Sequence, residues 1–151
     1  MRFDYKKVAI PENPNAPWFP LPLIKVRLSY KDKIIQLDAL IDSGADVSLF
    51  HASAAKALGI DLTSGIKQEY FGVSGHKIEA YFHTVKFQIV GTPYAMELAI
   101  GFTESEGVSA LLGQADFFQA HQIKFERYKE RIEISPAPNH GCSKVGFTGA
   151  R

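Results

Sequence analysis

What most constrains this chain is an apolar–polar alternation with a period of two, repeated in short segments. In LIKVRLSY, residues 23–30, Ile24, Val26, Leu28 and Tyr30 share one face, and Lys25, Arg27 and Ser29 share the other. That is the period of an extended strand with one face buried. The turn YKDK follows, and residues 33–41 return as a second strand, which predicts a hairpin. The β signal recurs in IKQEYF (66–71), KIEAYFHTVKFQIV (77–90) and TPYAMELAIGF (92–102), with GVSG and Gly91-Thr92-Pro93 as the turns. Near the C-terminus QIKF and RIEIS flank the turn ERYKE. Helical signal is short: HASAAKALGI (51–60), with Gly59 as its C-cap, and QADFFQAH (114–121). Many short strands with one or two small helices predict a mostly β barrel or sandwich.

The remaining sequence sets the bounds of that domain. PENPNAPWFPLP, residues 11–22, carries five of the eight prolines and reads as an extended connector, with residues 2–8 as a short strand before it. We therefore expect an extended N-terminal segment over 1–20, a folded domain over 21–135 and a flexible tail over 136–151. Trp18 has two open roles, packing or meeting a partner. At 151 residues the chain can bury a real core.

Composition narrows the function classes. Seventeen Lys and Arg against 16 Asp and Glu give a net charge of +1, so no basic footprint for nucleic acid or an anionic membrane exists. No apolar run reaches the roughly 18 residues of a spanning helix. The N-terminus lacks the apolar stretch of a secretion signal. Cys142 is the sole cysteine, which excludes an internal disulfide and a cysteine-based metal cluster. The five histidines, at 51, 76, 83, 121 and 140, match no metal-ligand spacing. The expectation is a cytoplasmic protein without metal or cofactor.

One stretch carries chemistry. In ALIDSGADVSLF, residues 39–50, an apolar strand runs into Asp42, Ser43 and Gly44, and the chain turns apolar again through Val47, Leu49 and Phe50. Asp-Ser-Gly alone is weak, because Asp and Ser bond local backbone in turns and Gly permits positive φ. A carboxylate between two apolar segments needs designed partners or a shifted pKa. Asp42 is therefore either a turn residue or a catalytic acid, and Asp46 either a local cap or a ligand-binding group. About 70 residues later Leu111-Leu112-Gly113 closes a short strand. Between them Gly72-Val73-Ser74-Gly75 forms a hairpin tip, fit for a mobile cover or an ordinary turn. Ser74 and His76 are not read as nucleophile and base, because neighbours along a strand diverge. GVSG also fits the G-x-x-G loop of KH domains, but β flanks and balanced charge speak against RNA. Phe117 and Phe118 read as core.

Taken together, Asp42-Ser43-Gly44-Ala45, Gly72-Val73-Ser74-Gly75 and Leu111-Leu112-Gly113 resemble the motifs of the retropepsin-like aspartic proteases. The resemblance covers roughly residues 20–135 and extends to SLFHASAAKALGI and LLGQADFFQAHQIKFERYKERIEI. It implies a closed or partly open β-barrel of the acid-protease type, hydrolysing peptide bonds in a polypeptide substrate. Carboxylate-driven hydrolysis needs two acids sharing a proton, one to take a proton from water and one to donate to the carbonyl. This chain has a single Asp-(Ser/Thr)-Gly, so the resemblance implies a homodimer with two copies of Asp42 across a two-fold axis. By the same transfer Asp42, Ser43 and Gly44 are catalytic, and Ala45, Asp46 and Gly72 to Gly75 line the substrate. Leu112 and Gly113 support the site. Gln114 stands where retroviral members usually carry arginine. The alternative is a retropepsin-like dimer, catalytically weak or inactive, that binds proteins or peptides.

Overall fold

The computed structural model describes residues 1–13, 15, 16 and 18–138, together with the backbone of residues 143 and 144. Thirteen strands account for most of these residues. They are β1 (Arg2–Asp4), β2 (Lys6–Ala9), β3 (Trp18–Leu21), β4 (Leu23–Tyr30), β5 (Lys33–Ile41), β6 (Leu49–His51) and β7 (Ile66–Phe71). The chain continues with β8 (Lys77–Ile89), β9 (Tyr94–Thr103), β10 (Ala110–Leu112), β11 (His121–Glu126), β12 (Arg131–Pro136) and β13 (Ser143–Lys144). One α-helix, α1 (Ala52–Ala57), follows β6.

The predicted β4–β5 hairpin forms in full register, from Leu23↔Leu40 to Tyr30↔Lys33. Its alternation does what a period of two requires: Ile24, Val26 and Leu28 are buried, while Lys25 faces water. Six strands close into a ring in the order β9-β6-β10-β5-β4-β8, with β8 pairing back onto β9. Inside the ring lie Phe50, Phe87, Phe102, Phe117, Leu98 and Ile100, each essentially inaccessible to water. Closing the sheet on itself leaves few unpaired edges and lets one apolar face per strand meet the others.

Beyond the ring, β1 pairs with β12 and β12 with β11 in a three-stranded sheet. The extended segment expected over residues 1–20 is thus divided among three strands. Of these, β1 belongs to the terminal sheet, while β2 and β3 form a separate two-stranded arm. The tail expected after Pro136 lies largely outside the described residues; Ser143 and Lys144 pair with Ala95 and Tyr94.

Helix α1 forms as anticipated, with an N-cap unexpected in kind. His51 Nδ1 accepts from the Ser53 amide, doing the work usually given to a Ser or Asp side chain. Gly59 takes φ +69 just past the helix, as its C-terminal place predicts. The segment 114–121 departs from a regular helix. Asp116 sits at φ 63, ψ −58, and its Oδ2 accepts from the Ala99 amide at 3.0 Å. That tertiary bond to β9 outweighs local helical preference and breaks the turn. Phe117 is buried, as its apolar character required.

Candidate active site

The site is built on the insertion of one strand between two others. Strands β5 and β6 are consecutive in the chain but not adjacent, because β10 lies between them. It pairs parallel to β5, with Leu112↔Ile41, and antiparallel to β6, with Leu111↔Leu49. Parallel pairing puts the C-terminal ends of β5 and β10 side by side. Asp42 leaves one end and Gly113 leaves the other, and the loop 42–48 must pass over β10 to reach β6.

Close backbone contact holds that loop. The Asp42 amide donates to the Leu112 carbonyl at 3.0 Å, Gln114 N to Ala45 O at 2.8 Å, and Ala115 N to Asp46 O at 2.9 Å. The buried Ser48 hydroxyl accepts from the Gly113 amide at 3.1 Å. A Cβ on Gly113 would stand 2.3 Å from the Val47 carbonyl oxygen, so no side chain fits between the two segments. Leu112 is fully buried beneath the loop. The Leu-Gly motif and the Asp-Ser-Gly motif are therefore one structural unit, although 70 residues separate them.

Asp42 itself is half-buried. Its Oδ1 accepts from the Gly44 amide at 2.9 Å, a bond that holds the carboxyl group against the loop's own backbone. A Cβ on Gly44 would lie 3.3 Å from that oxygen and crowd it. Ser43 is exposed, and its carbonyl accepts from Gln114 Nε2 at 2.7 Å. Ala45 is half-buried and Asp46 exposed. Gln114 thus braces the loop through a backbone carbonyl.

Strands β7 and β8 form a hairpin from Ile66↔Phe82 to Phe71↔Lys77. Its tip is a three-residue loop: Gly75 N donates to Gly72 O at 2.9 Å, Gly72 N to His76 O at 3.0 Å, and Gly75 takes φ +78. Val73 at the tip is fully exposed, and Phe71 beside it is 74% exposed. The lower part of the hairpin is anchored. Tyr70, Ile78, Ala80 and Phe82 pack with Leu49 and Leu111 in a second apolar cluster that joins this hairpin to the strands flanking the Asp42 loop. Burial raises the Tyr70 phenol above its ordinary pKa of 10, and the negative charge of Asp46 raises it further. The hairpin just below its tip and the Asp42 loop are thus electrostatic neighbours.

The sequence-predicted residues are accordingly brought into two adjoining groups. Asp42 to Asp46 and Leu112–Gly113 form one unit, and Gly72 to Gly75 form the tip of a hairpin whose root packs against it. Reasoning from sequence missed Ser48, the bracing amide of Gln114, and Tyr70. A Ser six residues past an Asp carries no local signal, and Tyr70 reads only as one more strand aromatic. Among the described residues no cluster of three or more His, Cys, Asp or Glu could hold a metal ion. An apolar cavity of about 390 Å³, lined by residues including Phe87, Ile89, Tyr94, Met96 and His121, involves no residue of the Asp42 loop. No helix among the described residues is long and apolar enough to cross a membrane.

Comparison with solved structures bears on the fold. The chain is similar to a retropepsin-like aspartic protease from Rickettsia conorii, at 15% identity and a TM-score of 0.54, covering 86% of this chain and 98% of that one. A weaker match is to the EIAV protease in complex with the inhibitor HBY-793, at 20% identity and a TM-score of 0.49, covering 73% and 92%. No family model matches the sequence, and no curated protein matches it. The first similarity establishes the fold: this chain has the architecture of the retropepsin-like aspartic proteases.

Proposed function

We propose that this protein is an aspartic endopeptidase, active as a homodimer in which two copies of Asp42 face each other across a two-fold axis. The observation that carries this reading is the Asp42 loop. Its carboxyl group is held by the Gly44 amide and half open to solvent, and the loop beneath it is locked to β10 and the residues that follow by three backbone bonds and Ser48. A turn aspartate with only a local role needs no such second strand under it.

The chemistry follows from pairing two such acids. Two carboxyls within hydrogen-bonding distance share one proton and titrate as a unit. The ionised one takes a proton from a water held between them, and the water oxygen bonds to the scissile carbonyl carbon. The protonated one donates its proton to the carbonyl oxygen, giving a neutral tetrahedral diol. Breaking the C–N bond returns a proton to the leaving nitrogen and restores the shared-proton pair. No metal and no covalent intermediate is required. In this scheme Ser43 bonds across the axis, Ala45 and Asp46 line the substrate backbone, and Gly72 to Gly75 close over it to exclude water.

The test is cleavage of a denatured protein or peptide library between pH 4 and 8, comparing the natural chain with Asp42→Asn, alongside the mass in solution. We expect cleavage that Asp42→Asn lowers at least about a hundredfold without changing the dimer. Cleavage unaffected by the substitution overturns the mechanism. A stable dimer that cleaves nothing supports the alternative, a peptide-binding module on the same fold.

A further inference from the structure

We propose that the β2–β3 arm is the clasp of this homodimer, lying in each copy against the Asp42 end of the other and burying Trp18, Phe19 and Val8 there. The inference rests on the dimeric reading above and names the surface that makes the dimer. Strands β2 and β3 pair with each other, from Lys6↔Leu21 to Ala9↔Trp18, and with no other strand among the described residues. An isolated two-stranded hairpin is marginal in water and needs a surface to pack on.

Toward its tip this arm carries apolar pairs on both faces, with Lys6 and Lys7 nearer its root. Cross-strand pairing puts Val8 and Phe19 on one face and Trp18 opposite Ala9 on the other. Trp18 is 59% exposed, Phe19 49% and Val8 37%. Large aromatics of this kind dominate the energetics of protein interfaces, and here the described chain leaves about half of each aromatic open.

The root of the arm identifies the occupant. Strand β3 enters β4 through Pro22, whose carbonyl accepts from the Ile41 amide at 3.0 Å, and Leu23 pairs with Leu40. The arm therefore leaves the ring one residue away from Asp42. Lys6 on β2 is ion-paired to Asp38 of β5, which Lys25 also contacts at 3.2 Å, so the root is pinned. A two-fold axis between two Asp42 residues brings this same end of the second copy alongside, and symmetry makes the arm contact twice, once for each copy. The terminal strand β1 is engaged with β12 of its own chain, with the Met1 amine donating to Ile134 O at 2.6 Å.

Trp18 is the only tryptophan, so the intrinsic fluorescence of the unmodified protein reads the arm directly. Diluting the protein through its dimer–monomer transition, followed in parallel by sedimentation, is expected to red-shift the emission and raise acrylamide quenching with the same midpoint. Trp18→Ser with Phe19→Ser is expected to raise the dimer dissociation constant at least about tenfold. Specific activity should return at protein concentrations that restore the dimer, because the arm does not touch the reacting atoms. A dimer that dissociates with unchanged Trp18 emission overturns the clasp, as does a protein that stays monomeric at all concentrations. A shift caused by peptide substrate at constant mass overturns it too, assigning the arm to substrate binding. Asp42→Asn separates the two readings: it removes cleavage if the endopeptidase reading holds, and leaves the fluorescence transition in place if the clasp holds.

Discussion

Ser48 is a small residue with a large structural share, because its buried hydroxyl is the partner of the Gly113 amide at the point where two site segments touch. Ser48→Ala removes the acceptor and leaves that N–H unpaired in the interior, which costs about 1–3 kcal/mol. For a chain of this size the melting temperature should fall by about 2–4 °C per kcal/mol, readable by thermal denaturation. Ser48→Thr keeps the hydroxyl and should recover part of the loss. If Ser48→Ala melts with the natural chain, the contact is not a structural tie. Asp42 and its neighbours were legible in sequence because acid, hydroxyl and glycine between two apolar runs is a local pattern. Ser48 and Gln114 were not, because their partners are 65 and 71 residues distant.

The β7–β8 hairpin divides into a packed root and an open tip, and its two outer glycines are not equivalent. Gly75 takes φ +78, where a side chain costs about 1–2 kcal/mol. Gly72 has ordinary backbone, and a Cβ there would meet nothing closer than 3.8 Å. Gly75→Ala should therefore distort the tip, while Gly72→Ala should leave it nearly unchanged. If the tip covers the substrate as proposed, Gly75→Ala raises the KM for peptide cleavage several-fold with only a small fall in melting temperature. Equal KM values for the two variants would remove the tip from substrate binding. The same contrast shows what sequence could and could not say of this element. GVSG announced a turn, and the flanking alternation announced its strands to within a residue. That Tyr70 and Phe82 would join Leu49 and Leu111 beneath it required the closed ring.

The assembled molecule has a pH dependence that its parts do not suggest. His121 stacks on Phe117 with ring centroids 4.7 Å apart, and its Nδ1 donates to the Phe117 carbonyl. Burial lowers its pKa below the ordinary 6.5, and the bond to Phe117 opposes this in part. Below pH 6.5 the unfolded chain therefore binds more protons at this site than the folded one. The contribution is complete above that pH and is lost as pH falls toward the folded value, with a slope of at most about 1.4 kcal/mol per unit. Asp38, held low chiefly by Lys6, and Glu126, held low chiefly by Lys129, act in the same direction but in the lower carboxylate range. Melting temperatures between pH 7.5 and 5 should decline, and His121→Asn should flatten that decline. An unchanged slope would assign it elsewhere.

The sequence by itself determined the strands with clear alternation, their turns, the Asp-Ser-Gly loop and the mostly β class, because alternation, glycine position and capping act over a few residues. Only the tertiary structure decided that β10 lies between β5 and β6, that Asp116 leaves the helix to hold Ala99, and that residues 6–21 fold back as an arm rooted beside Asp42. These are pairings between segments far apart in the chain. Their free energy comes from surfaces that exist only once the ring has closed, so no window of sequence contains them.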